Sequence, residues 1–152
     1  MLEDEGFEVH LRNRDFNIDV EAFMAGKRDT RTLEVMQEIG AKVSDFTSKY
    51  DLAIYVANFE TASNNTVIRI NWKGMAGMGD DTPWFTSEIP AIFISLANPY
   101  HLLDAPMVQS YVNAYTNNEF VLESLIDKLM GRSEFKGKSP VDAFCGREDT
   151  KY

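Results

Sequence analysis

From Phe7 to Arg12 apolar and polar residues alternate, with Phe7, Val9 and Leu11 set against Glu8, His10 and Arg12. That is the period of a strand with one wet face, and it places His10 among the charged side chains. Just before it, Leu2 to Gly6 reads as a last helical turn closed by a glycine, with almost no helix in front. The expectation is a chain cut from something longer. Between residues 30 and 50, Leu33, Met36, Ile39, Val43, Phe46 and Tyr50 recur at spacings of three and four, one stripe along a helix that Asp29 or Thr30 would cap. Leu52 to Ala57 and Ala91 to Ala97 are apolar almost throughout, as in strands covered on both faces, and Thr66 to Trp72 and Tyr111 to Tyr115 read as two further strands. Asn98-Pro99 turns a corner, because proline drives the residue before it out of helical geometry. Beyond the corner, Asp104 is placed to cap a short helix with Pro106 near its first turn. Thr116-Asn117-Asn118-Glu119 has capping-box spacing and opens a helix with a stripe of Val121 or Leu122, Leu125, Ile126, Leu129 and Met130, stopped by Gly131.

Buried strands alternating with amphipathic helices predict an α/β three-layer sandwich around a mostly parallel, doubly wound sheet of flavodoxin-like kind. A length of 152 residues suits one domain spanning 1–152, with an extended tail over about 133–152. Ligands of such sheets gather outside the carboxyl ends of the strands. Those ends here carry Asn58, Asn71 or Trp72, and Asn98.

Charge and cysteine content narrow the partners. A formal charge of −9 and the lack of a basic cluster argue against nucleic acid. One cysteine, Cys145, excludes an internal disulfide and a cysteine-based zinc site, and it reads as an inert thiol of a reducing compartment. No apolar run approaches the ~20 residues that span a bilayer, and the acidic amino terminus is unlike a signal peptide. The expectation is a soluble chain, cytoplasmic by default, without membrane contact.

Candidate chemistry is sparse. Neutral amides at strand ends suit sugar hydroxyls, and they equally suit the closing of their own turns. Gly74 to Gly79 is neither a dinucleotide fingerprint nor a Walker sequence. Trp72, Trp84 and Phe85 around it fit a protein interface or a sugar-stacking platform. Asp51 lies at the wrong end of its strand for a phosphoacceptor, and no G-x-S-x-G surrounds a serine. Asp80-Asp81 alone does not make a metal site. His101, just past a strand end beside Tyr100, is the sharpest candidate, either as a site residue or as a side chain packed under the corner.

The segment from Ala91 to Val141 carries an apolar strand followed by Asn98-Pro99-Tyr100, then Tyr115-x-Asn117-Asn118-Glu119 opening a helix, then Gly131 leading to Gly137-Lys138-Ser139-Pro140-Val141. It resembles the carboxyl-terminal domain of glycoside hydrolase family 3. Ser48 to Asn58 resembles an earlier strand of that domain, and Phe144 to Tyr152 is most similar to the bacterial β-N-acetylhexosaminidase branch. The resemblance implies an α/β sandwich whose partner is an amino-terminal barrel of the same chain, and carbohydrate as the substrate of the whole. It implies that the barrel holds the nucleophile and, in the hexosaminidase branch, the acid/base as well. No catalytic residue is therefore assigned here, and no metal or cofactor is expected. In the β-glucosidase branch this domain supplies a glutamate acid/base within Glu-Gly-x-Asp-Arg; Glu60 stands roughly there, outside that context.

The expectation is a non-catalytic scaffold and active-site wall. Asn58, Glu60, Trp72, Trp84, Asn98 and His101 are its candidate ligand-facing or barrel-facing residues, and the loop from Trp72 to Trp84 is expected to pack on the barrel. The alternatives are a stand-alone domain in which Asn58, Asn98 and His101 hold a small polar ligand, or a β-glucosidase-branch domain with Glu60 as acid/base.

Overall fold

Three short strands, β1 (Ala53–Ala57), β2 (Ala91–Ser95) and β3 (Ser110–Asn113), pair in parallel in the order β1-β2-β3. They belong to a computed structural model that describes residues 1–12, 20–27, 30, 33, 42–59, 70 and 86–147. All three were legible as apolar or β-branched runs. β2, the middle strand, is the most completely buried, as the unbroken run Ala91-Ile92-Phe93-Ile94 requires.

The two faces of the sheet are covered differently. On one, Tyr55, Phe93 and Tyr111 stand opposite one another in register and stack, with ring centroids 6.3 Å apart between Tyr55 and Phe93 and 5.4 Å between Phe93 and Tyr111. Near-parallel planes at these distances are the offset arrangement that ring quadrupoles favour. Ala57, Ile70, Ala105 and Val108 complete that core, and the segment from Pro99 to Val108 lies over it. On the other face Ile94 and Leu96 meet Leu125 of α3 (Glu119–Leu129), with Ile54, Ile92, Val112, Leu122 and Leu129 around them. A sheet with packed segments on both sides is an α/β three-layer arrangement.

Helix α3 follows its sequence closely, except for the identity of its cap. Asn118 is the N-cap, its Oδ1 accepting the Val121 N–H at 2.9 Å, and Gly131, at φ +73°, ends the helix by donating its N–H to the Lys128 carbonyl. From Ser133 to Arg147 the chain forms only bends and turns. Arg132 grips Glu5 with two bonds of 2.6 and 2.7 Å and Asp127 with one of 2.7 Å, fastening the amino-terminal turn to the end of α3.

Elsewhere the pattern misleads. Residues 7 to 12 form no strand. Leu11 is 91% exposed and Phe7 is exposed too; Val9 and Leu11 help to wall an apolar cavity of about 370 Å³ between the amino-terminal segment, the sheet and α3. Alternation over so few residues makes a strand only when another strand supplies its hydrogen bonds, and none does among the described residues. His10 does point with the charged groups, 2.9 Å from Glu8.

Of the single helix read over residues 30 to 50, 31–32 and 34–41 lie outside the described residues, and Lys42, extended at φ −92°, ψ 160°, does not continue it. A separate helix, α2 (Val43–Thr47), starts there, with Asp45 accepting the Lys42 N–H at 2.8 Å. A short helix α1 (Val20–Met24) precedes it. The strand read over Thr66 to Trp72 lies outside the described residues, save for Ile70. Leu2 to Gly6 forms one turn of 3-10 helix over Glu3–Glu5, closed by Gly6 at φ +90°, as its glycine implied.

Candidate functional site

Because the strands are parallel, their last residues line up: Ala57, Ser95 and Asn113 are register partners at the carboxyl edge of the sheet. The chain leaves β2 at Ser95 and turns at Asn98, which N-caps a 3-10 helix (Pro99–Asp104) by accepting the Tyr100 N–H on Oδ1 at 2.9 Å. Pro99 sits at the first helical position, where its missing N–H costs nothing. One turn of that helix carries His101 back beneath the corner, where it is 0% exposed.

Four residues meet there. The Ser95 hydroxyl donates to the Asn98 carbonyl at 2.5 Å and lies 2.8 Å from His101 Nδ1. Asn98 Nδ2 donates to the Phe59 carbonyl at 3.1 Å and lies 3.0 Å from His101 Nε2. The Phe59 ring meets the imidazole edge-on, with centroids 5.8 Å apart. These bonds leave one consistent assignment. Asn98 Oδ1 is committed to a backbone N–H, so its other end is the NH2 and His101 Nε2 must accept. The Ser95 proton is committed to Asn98, so His101 Nδ1 must donate. His101 is thus neutral, and the serine, amide and imidazole form a closed ring of hydrogen bonds.

Electrostatics agree with that state. Burial pushes His101 below its ordinary pKa, against a smaller upward pull from the Phe59 carbonyl and the Asp104 carboxylate. Tyr111, whose hydroxyl donates to the Pro99 carbonyl at 3.3 Å, is pushed up to about 12, chiefly by burial. Asp104, expected as a helix cap, instead ends the 3-10 helix and accepts the Ile70 N–H at 2.8 Å. A carboxylate nearly closed off from water is satisfied by a backbone donor 34 residues away.

Of the residues singled out by sequence, the structure brings together Asn98 and His101. Asn58 is exposed at the end of β1, next to Phe59. Glu60, Trp72 and Trp84, with the Gly74 to Gly79 loop, lie outside the described residues. Ser95 and Phe59 went unnoticed. A hydroxyl interrupting an apolar strand on the same side as Phe93 is the signal that would have found Ser95. Asn113 also went unnoticed; its Oδ1 is buried without a hydrogen-bond partner among the described residues. Tyr115, two residues beyond β3, holds φ +63°, a left-handed conformation unusual for a side chain of its size. Among the described residues no three metal-ligating side chains converge, and no helix is long and apolar enough to cross a membrane.

The ring therefore stiffens the carboxyl edge and presents polar and aromatic groups there, but its members are a serine, an amide and a neutral imidazole, none of them an acid. Against known proteins, no family profile matches the chain. A β-N-acetylglucosaminidase/β-glucosidase of Cellulomonas fimi is 45% identical over 112 residues, 74% of this chain and 20% of that enzyme. A solved structure of the β-glucoside phosphorylase BglX superposes with a TM-score of 0.64 at 49% identity, covering 74% of this chain and 19% of the other. The same enzyme bound to 2FGlc gives 0.62 at 51% identity, over 70% and 18%. The chain is homologous to a segment of glycoside hydrolase family 3 enzymes. It spans about a fifth of the length of the relatives it matches.

Proposed function

We propose that the chain is the carboxyl-terminal α/β domain of a family 3 enzyme acting on terminal β-linked sugars, N-acetylglucosamine or glucose, and that it serves as scaffold and active-site wall while an amino-terminal barrel supplies the reacting groups. The observation that carries this is the 45% identity to one fifth of an enzyme named for both sugars. The chemistry of the edge supports it. A retaining glycosidase brings two carboxyl groups to within about 5 to 5.5 Å across the scissile bond. The ring holds no carboxylate, and the nearby Asp104 is turned to the Ile70 N–H. In this reading the carboxyl edge faces the barrel, with Asn58, Asn98 and the buried His101 shaping the wall and Trp72 and Trp84 on the packing loop; Glu60 has no proton to deliver.

The test is turnover of aryl β-N-acetylglucosaminide and aryl β-glucoside by this chain alone and by the whole polypeptide that contains it. The expected result is release by the whole protein and none by the chain. Turnover by the chain alone overturns the reading. Glu60→Gln in the whole protein is expected to leave turnover within a few fold, whereas an acid/base role would cost about 10²–10⁴.

A second reading concerns the acceptor. The solved relative is named a phosphorylase in both of its structures, which favours inorganic phosphate rather than water as the group that takes the sugar. Adding phosphate to the whole enzyme then raises turnover and yields sugar 1-phosphate. Free sugar as the sole product at saturating phosphate excludes it.

A further inference from the structure

The Ser95-Asn98-His101 ring does more than fill the corner, because every donor and acceptor in it has a fixed role and one member titrates. While His101 is neutral, the Asn98 carboxamide has one orientation. Its oxygen caps the 3-10 helix at the Tyr100 N–H, and its nitrogen reaches both the Phe59 carbonyl at 3.1 Å and the imidazole at 3.0 Å. The bond to Phe59 ties the segment leaving β1 to the corner after β2 across 39 residues of sequence. Were Nε2 to take up a proton, the imidazolium N–H would stand against the amide NH2 at 3.0 Å, two donors face to face.

We propose that His101 is a proton-operated latch on the exit of β1: neutral, it holds the Asn98 carboxamide on Phe59 and Tyr100; protonated, it turns that carboxamide over and frees both. Turning brings Asn98 Oδ1 to the imidazolium and carries Nδ2 away from the Phe59 carbonyl. The Tyr100 N–H loses its acceptor in the same movement. Among the described residues, the titratable groups facing this ring are Asp104 of the same 3-10 helix and Tyr111 of β3. Tyr111 stays protonated across the acid range, and Asp104 accepts the Ile70 N–H. The remaining acceptor within reach of the imidazolium is the Phe59 carbonyl, and a bond to it competes with Asn98 Nδ2 for the same oxygen. Acid thus loosens the carboxyl edge locally, ahead of global unfolding.

The experiment is amide exchange and nitrogen NMR on the 152-residue chain between neutral pH and the onset of global unfolding, with circular dichroism following the fold as a whole. At neutral pH the His101 nitrogen shifts are expected to report the Nδ1–H tautomer. As pH falls, the Tyr100 amide loses protection by about fivefold to tenfold, the loss of one ordinary hydrogen bond, with the midpoint of the His101 titration and before ellipticity changes. His101→Gln, which offers the ring an amide that does not titrate in this range, is expected to abolish that midpoint. Protection at Tyr100 that stays flat while His101 titrates, or that falls only together with ellipticity, overturns the proposal. If His101→Gln does not fold, the wild-type comparison of the Tyr100 and His101 midpoints decides alone.

Discussion

Replacing Phe93 by alanine tests the packing account most directly. Phe93 is 1% exposed, lies on the middle strand, and stacks on Tyr55 on one side and Tyr111 on the other. Truncating a buried phenylalanine costs about 3–5 kcal/mol, combining lost transfer energy with the cavity left behind. Each stacked pair contributes a further ~0.5–1.5 kcal/mol beyond its area, and two pairs are lost together, so the upper half of the range is expected. A domain holds about 5–15 kcal/mol in all, and the loss is about a quarter of that or more. Chemical denaturation followed by circular dichroism measures it as a fall in midpoint at constant slope. Phe120→Ala is the matched control: on α3 and 81% exposed, it removes the same atoms from water rather than from a core. Its effect is expected within about 0.5 kcal/mol. A loss below about 1 kcal/mol for Phe93→Ala, or equal losses for the two, would refute the claim that this ring stack organises the core.

Three further outcomes are expected. His101 has a folded pKa below its unfolded value of 6.5, so its contribution to stability is present above that value and drains away as pH falls below it; denaturation midpoints of wild type and His101→Gln taken through that window should differ in slope. Tyr111 has a folded pKa raised from 10.0 to about 12, so its contribution is complete below the unfolded value and is lost as pH climbs between the two; ultraviolet titration should show one tyrosine ionising late, and Tyr111→Phe should remove it. Asn118→Ala deletes the acceptor for the Val121 N–H and is expected to cost about 1 kcal/mol, read as a lower denaturation midpoint, with Asn118→Ser recovering most of it.

What could be read from the sequence was whatever depends on neighbours a few residues away. Leu52 to Ala57 and Ala91 to Ala97 declared themselves as strands because no charge interrupts them, but only β2 is covered on both faces, since Val56 of β1 is 58% exposed; the stripe through Leu125 and Leu129 gave the face that α3 buries. Local rules failed where a distant partner decides. Asp104 reads as a helix cap by its position before Pro106, yet its acceptor capacity is claimed by the Ile70 N–H. Phe7 to Arg12 has the alternation of a strand but, among the described residues, no row of hydrogen bonds to join. Lys42 interrupts a stripe that periodicity alone would carry through. The corner at Asn98-Pro99 follows from proline sterics, whereas the burial of His101 beneath it depends on partners outside its own segment. The ring was not visible, because it needs Ser95 from one strand end and Phe59 from another, which only the parallel pairing of β1 and β2 brings together.

The placement of β2 between two parallel neighbours also bears on how the chain fails. Ala91 to Ser95 is uncharged, free of proline and rich in β-forming side chains, the composition that templates intermolecular cross-β stacking. In the native sheet both of its hydrogen-bonding edges are occupied, by β1 and by β3. Its partners come from remote stretches of sequence, so the native pairing is slow to reform once lost. Heating past the transition should therefore end in precipitate rather than in a soluble coil that refolds on cooling.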